Sequence, residues 1–436
     1  MHDRLKGFRE FYPEEMVNRK AVFTSIETTI SSYGFREIGT PSLERTQLYI
    51  DKSGGEIVDH LYSFQDQGGR DITLTPELTP TVARMVALRG KSLPKPIKWF
   101  STRPFWRYEQ VQQGRFREFY QTNVDIFGSS SPSSDAEIIV CAAHILSNLG
   151  LGDDDFIFLV SHRSLLSGLL ESFSPDVDLT AAIRAIDKKD KIDSQLYATL
   201  LSEANFPSDS IDDLTDILSL TDLSEIAEFS HDDTMQSAIK NLEEIFDIVS
   251  QTIADKYCSI SLKTARGLDY YTGSIFECFD ASGEVHRSIF GGGRYDNLIS
   301  DFGGPSTPAV GFAFGDATLE KLLMRTGTWP NKKLKTDYYV IQVGDTREST
   351  IKLAHALRDR GNIVETDVSG KKFTSQLNYS NSINAETVII VGERDLKENK
   401  ITIKKMSTGE ELQVSIDDFP GDYHSPTYDD FAPKTS

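Results

Sequence analysis

The chain has 436 residues, enough for two or three domains with substantial cores. Hydrophobic residues make up 39% and charged residues 26%; no apolar run approaches the ~20 residues of a membrane span, and the amino terminus lacks a signal peptide's basic and apolar regions. The expected protein is therefore soluble and cytoplasmic, with no membrane partner, and its net charge of -20 would ordinarily argue against nucleic acid as a partner.

That charge is uneven. Leu170 to Ile245 carries eighteen acidic and five basic residues, whereas Lys332 to Ile416 carries twelve acidic and fourteen basic. The second segment can meet a phosphate backbone without prohibitive repulsion. The three cysteines have no CxxC spacing and the eight histidines form no HxxxH or HExxH pair, so neither a disulfide framework nor a structural zinc site is indicated.

In chain order, Val22, Ile26, Ile30 and Tyr33 fall at helical spacing, which predicts a helix over Val17 to Tyr33 capped by Gly34. Phe35 to Glu44 reads as a strand at an edge or a subunit interface, because Pro41 lies within it. In Thr75-Pro76-Glu77 the backbone is held extended before the proline. Glu77 either receives a ligand ammonium group or supplies favourable negative charge before a helix predicted from Pro80 to Leu88.

Trp99 to Phe127 reads as a long antiparallel hairpin around the polar loop Gln110 to Arg115. Arg107 and Glu109 are placed on one face of its first strand. On the second, Gln121, Asn123 and Asp125 share a face bracketed by Phe119 and Phe127, which favours a partly buried polar pocket over an exposed face. Asp135 to Leu149 follows as a helix closed by Gly150.

The acidic stretch from about 170 to 245 reads as an inserted set of short helices, with Ser208, Asp212 and Thr221 as candidate caps. Strands are predicted within Ser259 to Phe279 and at Ser288-Ile289, then a glycine-rich turn to Tyr295. Ala309 to Phe314 is one more strand, followed by a helix from Asp316 to Met324. Residues 327–336 form the best linker. Beyond it, strands at 338–343, 363–368 and 387–391 alternate with helices at 347–360 and 371–380, predicting a parallel or mixed α/β domain, and 419–436 reads as a loose tail.

The densest run of directional polar groups is Arg266-Gly267-Leu268-Asp269-Tyr270-Tyr271-Thr272-Gly273. As a strand it would put Arg266 and Tyr270 on one face and Asp269 and Tyr271 on the other. It is either a pocket wall for a polar small molecule or an edge strand whose Arg266 and Asp269 pair for solubility.

Taken in order, Pro41, Thr75-Pro76-Glu77, the hairpin from Arg107 through Arg115 to Asp125, the Arg266 run and Gly311-Phe-Ala-Phe-Gly315 resemble a class II aminoacyl-tRNA synthetase. Within that class the Arg266 to Tyr271 segment, Gly292-Gly-Arg-Tyr-Asp296 and Arg184-Ala-Ile-Asp-Lys188 are similar to the histidyl-tRNA synthetase family, from Gly7 to about Asp418.

The resemblance implies an α+β catalytic domain over 1–326, built on an antiparallel sheet and carrying the helical insertion. A C-terminal α/β anticodon-binding domain would follow at 337–418. It also implies a homodimer whose substrates are L-histidine, ATP with Mg²⁺, and the tRNA for histidine. By position, Arg107 would bind the ATP α-phosphate and the histidine carboxylate, Glu109 would lie near the adenine, and Arg115 would engage the phosphates. Glu77 and Thr79 would hold the histidine ammonium group with Gln121 nearby. Asp125 and Tyr271 would bond the imidazole and Tyr270 would line its pocket. Arg266 would stand beside the α-phosphate, where most class II enzymes rely on magnesium.

One position departs from the family. The last motif usually ends in Gly-x-Glu-Arg, whose arginine clasps the γ-phosphate, but Thr318 stands in the arginine's place. The alternative implied by that departure is a non-catalytic, histidine-binding regulatory subunit of ATP phosphoribosyltransferase. Such subunits generally lack the domain that 338–418 resembles.

Overall fold

The computed structural model describes residues 3–53 (51–53 by backbone only), 58–111, 114–189, 192–230, 232–265, 270–417 and 419. The chain divides into two compact units, one of Met1–Glu10 with Arg19–Pro330, the other of Phe11–Asn18 with Asn331–Ser436.

The strands of the first unit are β1 (Arg36–Glu37), β2 (Leu43–Arg45), β3 (Ser63–Gln65), β4 (Asp71–Leu74), β5 (Ile97–Trp106), β6 (Glu118–Phe127), β7 (Phe156–His162), β8 (Cys258–Ile260), β9 (Ser274–Asp280), β10 (Phe290–Arg294) and β11 (Ala309–Gly315). Among the described residues they form an eight-stranded sheet in the order β1-β5-β6-β11-β10-β9-β7-β8 and a small sheet β2-β4-β3. Neighbours in the large sheet are antiparallel except the β1–β5 and β7–β8 pairs at its edges.

The central hairpin, β5 with β6, runs in unbroken register from Ile97 opposite Phe127 to Trp106 opposite Glu118. Its alternation follows the sequence. Arg107 and Glu109, however, lie beyond the end of β5, in the connecting loop, and not on a strand face. The Pro41 segment is not one strand either: two short strands flank it. The Pro41 carbonyl instead accepts from Thr75 Oγ1 at 3.1 Å and Arg103 Nη1 at 2.8 Å, so this backbone bonds side chains in place of a ladder.

Helix Pro132–Asn148 is enclosed along most of its length, with Ala136, Ile138 to Ala143, Ile145 and Leu146 all buried. Ser131 caps it by accepting from the Ser133 N–H, and Gly150 leaves it at φ +88°. Its one buried acid, Asp135, takes an ion pair and a 3.1 Å Nε bond from Arg294 at the end of β10. Removing either partner would leave the other charge buried and unpaired, at a cost of roughly 3–5 kcal/mol, so helix and sheet are coupled through this pair.

The glycine-rich segment after Ile289 is a strand and not a turn. Gly291 to Gly293 lie between β9 and β11 in register with both. A Cβ on Gly292 would sit 2.3 Å from the Gly311 carbonyl oxygen, so only glycine lets these backbones approach.

Between about 163 and 249 the insertion is helical, as the sequence implies. Its caps are not Ser208, Asp212 or Thr221. Asp178, Asp193, Asp222 and Asp232 each accept a backbone N–H at a helix start. Part of the acidic excess therefore compensates the positive ends of helices.

In the second unit β12 (Thr336–Val343), β13 (Val364–Thr366), β14 (Ala385–Gly392), β15 (Lys400–Lys405) and β16 (Glu411–Ser415) form a sheet in the order β13-β12-β14-β15-β16. The first three strands are parallel, with helices Arg347–Arg358 and Phe373–Ser382 in their crossovers, while β15 and β16 add an antiparallel hairpin. The sheet is mixed. β12 begins at Thr336, within the stretch read as a linker.

Candidate functional site

Two cavities adjoin on one face of the large sheet. The first, of about 520 Å³, is lined by Glu77, Thr79, Asn123, Asp125, Tyr270 and Tyr271 among others. The second is larger, about 1050 Å³, with Glu109, Arg115 and Thr318 on its walls. Arg107 and Gln121 line both. The sequence-derived candidates thus converge, except that Arg266 lies outside the described residues.

Backbone bonds position the carboxylate loop. The Trp106 N–H donates to the Thr75 carbonyl at 3.1 Å, and Arg107 Nε donates to the Pro76 carbonyl at 2.9 Å. With Nε committed, and the guanidinium 5.4 Å from the Phe119 ring centroid, Arg107 can present its two terminal amino groups to ligand oxygens. Glu77 precedes the helix Thr79–Arg89, whose N-cap, Leu78, has no side chain able to cap. The two readings of Glu77 are compatible, since it both faces the cavity and lies by an uncapped helix start.

On β6 the polar row faces the smaller cavity, and Gln121 Nε2 donates to Asn123 Oδ1 at 2.8 Å. Asp125 is enclosed and accepts a short hydrogen bond from the Tyr295 hydroxyl. Burial pushes the Asp125 carboxyl up to about 7, opposed by that hydrogen bond. Tyr295 is itself raised, first by burial and then by the neighbouring carboxylate. Space for Asp125 comes from Gly311, its partner in register on β11: a Cβ there would lie 2.1 Å from Asp125 Oδ1.

Tyr270 and Tyr271 are not in a strand, so the expected division onto opposite faces does not occur. Both rings reach the same cavity, with centroids 4.8 Å apart, and Tyr270 meets Tyr295 edge-on at 5.9 Å. The Thr272 N–H donates to the Arg294 carbonyl at 2.8 Å, which fastens this segment to the end of β10.

In the larger cavity Glu109 and Arg115 form an ion pair across the hairpin loop. Burial, then the charges of Arg287 and Arg107, hold the Arg115 pKa below its ordinary value. The sequence pointed to no ligand role for Tyr295, Asn123, Asp187 or Glu277, all of which line the smaller cavity. Asn123 was signalled by its place in the polar row, and Tyr295 by the Gly-Arg-Tyr-Asp run.

Such a site can recognise a small zwitterion that carries a ring with two polar positions, next to a polyphosphate. The family model described as histidyl-tRNA synthetase matches residues 7–319, and that of an anticodon binding domain matches 337–422. A histidine–tRNA ligase of Natronomonas pharaonis is 56% identical over 99% of this chain and 100% of its own length. One of Haloquadratum walsbyi is 57% identical, with the same two shares. The crystal structure of a Nostoc histidyl-tRNA synthetase superposes with a TM-score of 0.79, at 23% identity, over 95% of this chain and 97% of that one. On this full-length likeness, the chain belongs to the histidyl-tRNA synthetase family.

Proposed function

We infer that the chain activates L-histidine with ATP, forming histidyl-adenylate and pyrophosphate, and then transfers histidine to the 3′ end of its tRNA. The observation that carries this reading is the joined pair of cavities with Arg107 at their junction. Arg107 can touch both the attacking carboxylate and the α-phosphate. In-line attack needs positioned reactants and neutralised charge more than it needs covalent help from the protein. Arg266, by its place in the sequence, would add the second cation.

Asp125, backed by Tyr295, would accept from one imidazole nitrogen, while Tyr271 meets the other. Glu77 and Thr79 would hold the ammonium group, with Gln121 nearby, and Tyr270 would close the ring pocket. Glu109 would lie near the adenine and Arg115 on the phosphates. Buried groups satisfied by imidazole are left unpaired by an apolar amino acid, which supports discrimination on the order of 10⁴ without editing.

Mg²⁺ would enter with the nucleotide, as MgATP, bound mainly through the phosphates and water. The second unit, with its near-neutral charge, would read the tRNA. We further propose a homodimer assembled around the Pro41 segment and a cytoplasmic location. No described helix is long and apolar enough to cross a membrane.

The regulatory-subunit alternative is not favoured, since ligases match over the full length, the anticodon-binding domain included. Incubation with ATP, radiolabelled histidine and total tRNA is expected to give acid-precipitable, base-labile label that depends on all three. A protein that binds histidine but never labels tRNA would overturn the ligase reading.

A further inference from the structure

Thr318 occupies the place of the family's phosphate-clasping arginine and lines the larger cavity, so the terminal phosphates need another partner. Helix Asp316–Arg325 supplies a candidate one turn later, at Lys321. Residues three apart share a helix face, and helical side chains lean toward the N-terminus. The Lys321 stem therefore runs back over the turn that carries Thr318. Its Nζ lies 3.5 Å from the position a Cβ on Gly114 would take, which brings it beside the residue preceding Arg115.

A further cation comes from the segment between β9 and β10. Arg287 lines the same cavity as Arg115 and Thr318. Its charge reaches Lys321 and Arg115: the Lys321 pKa is lowered by burial and then by Arg287, and Arg115 feels Arg287 in the same way. Arg115 is already paired with Glu109, whereas Arg287 and Lys321 bring two further like charges from separate elements toward the same place, which a bound polyanion would draw together.

The start of the helix is held rigidly. Asp316 accepts from the Tyr120 N–H at 3.1 Å and pairs with Arg9 at 2.8 Å and with Arg19 at 2.5 Å. Lys321 is thus carried on a preorganised support.

We propose that Lys321, together with Arg287, grips the β- and γ-phosphates of ATP and takes over the task of the arginine missing at Thr318. This rests on reading the chain as an adenylating enzyme. A lysine is a compact charge on a flexible stem, able to hold the terminal phosphates and let pyrophosphate go, where an arginine fork would clasp them bidentately.

The test is ATP–pyrophosphate exchange at saturating histidine, with MgATP varied, for the parent chain, Lys321→Ala, Lys321→Arg and Arg287→Ala. Both alanine variants are expected to raise KM for ATP by about tenfold or more, while KM for histidine stays within about twofold. Lys321→Arg is expected to keep KM for ATP within about threefold of the parent, because it retains the charge. Parental KM for ATP in both alanine variants, or an equal rise for histidine and ATP, would overturn the proposal while the adenylation reading stands. A parent chain without exchange would remove both readings.

Discussion

Replacing Arg107 with methionine is expected to lower the rate of histidine-dependent ATP–pyrophosphate exchange by about 10³-fold with little change in thermal stability. Methionine keeps an unbranched stem against Phe119, whose ring centroid is 5.4 Å from the guanidinium, so local packing survives. What is lost is a cation held ready by the Pro76 carbonyl, 2.9 Å from Nε, at the junction of the two cavities. Charge develops there in the transition state, and water entering in place of the side chain must reorganise during the reaction. An exchange rate within about tenfold of the parent would contradict this placement of Arg107.

Asp125→Asn is expected to separate stability from function. The folded-state pKa of Asp125 stands at about 7, against an ordinary 3.8, because burial penalises its charged form. Its contribution to apoprotein stability is therefore fully present below the unfolded-state value, declines as pH rises toward about 7, and is lost above that. The shift corresponds to a cost on the order of 4 kcal/mol at alkaline pH.

Asparagine keeps an acceptor for Tyr295 and carries no charge, so the variant is expected to be more stable than the parent at about pH 8, with a smaller difference near pH 5. Its kcat/KM for histidine is expected to fall by about 10³-fold, since the imidazole loses its anionic partner. Melting curves at the two pH values, paired with exchange kinetics, check both halves. Equal melting temperatures of variant and parent at the higher pH, or near-parental activity, would refute the assignment.

The same residues show what the chain discloses locally. Gln121, Asn123 and Asp125 were legible as a pocket row because alternation along β6 is a short-range rule, and bracketing by Phe119 and Phe127 favoured a buried face. The reason Asp125 fits is not local. It depends on Gly311, a neighbour only through strand pairing. Gly291 to Gly293 were misread for the same cause: glycine weakens a strand by itself, and its use at Gly292 appears only once the Gly311 backbone lies against it.

Tyr270 and Tyr271 were divided between two faces on the assumption of a strand, and a loop places both rings in one cavity. The β15–β16 hairpin was missed although Ile401 and Ile403 alternate with polar residues, because lysines flank that short pattern on both sides. The aspartate caps of the insertion were hidden in plain excess: when acids are everywhere, composition does not say which of them precede a helix.

The most direct measurement of the central claim is ATP–pyrophosphate exchange by the full chain, with each of the twenty standard amino acids supplied singly. Exchange is predicted with histidine and with no other amino acid above about 10⁻³ of that rate. Exchange driven comparably by another amino acid, or none with histidine at saturating MgATP in a folded protein, would contradict the account.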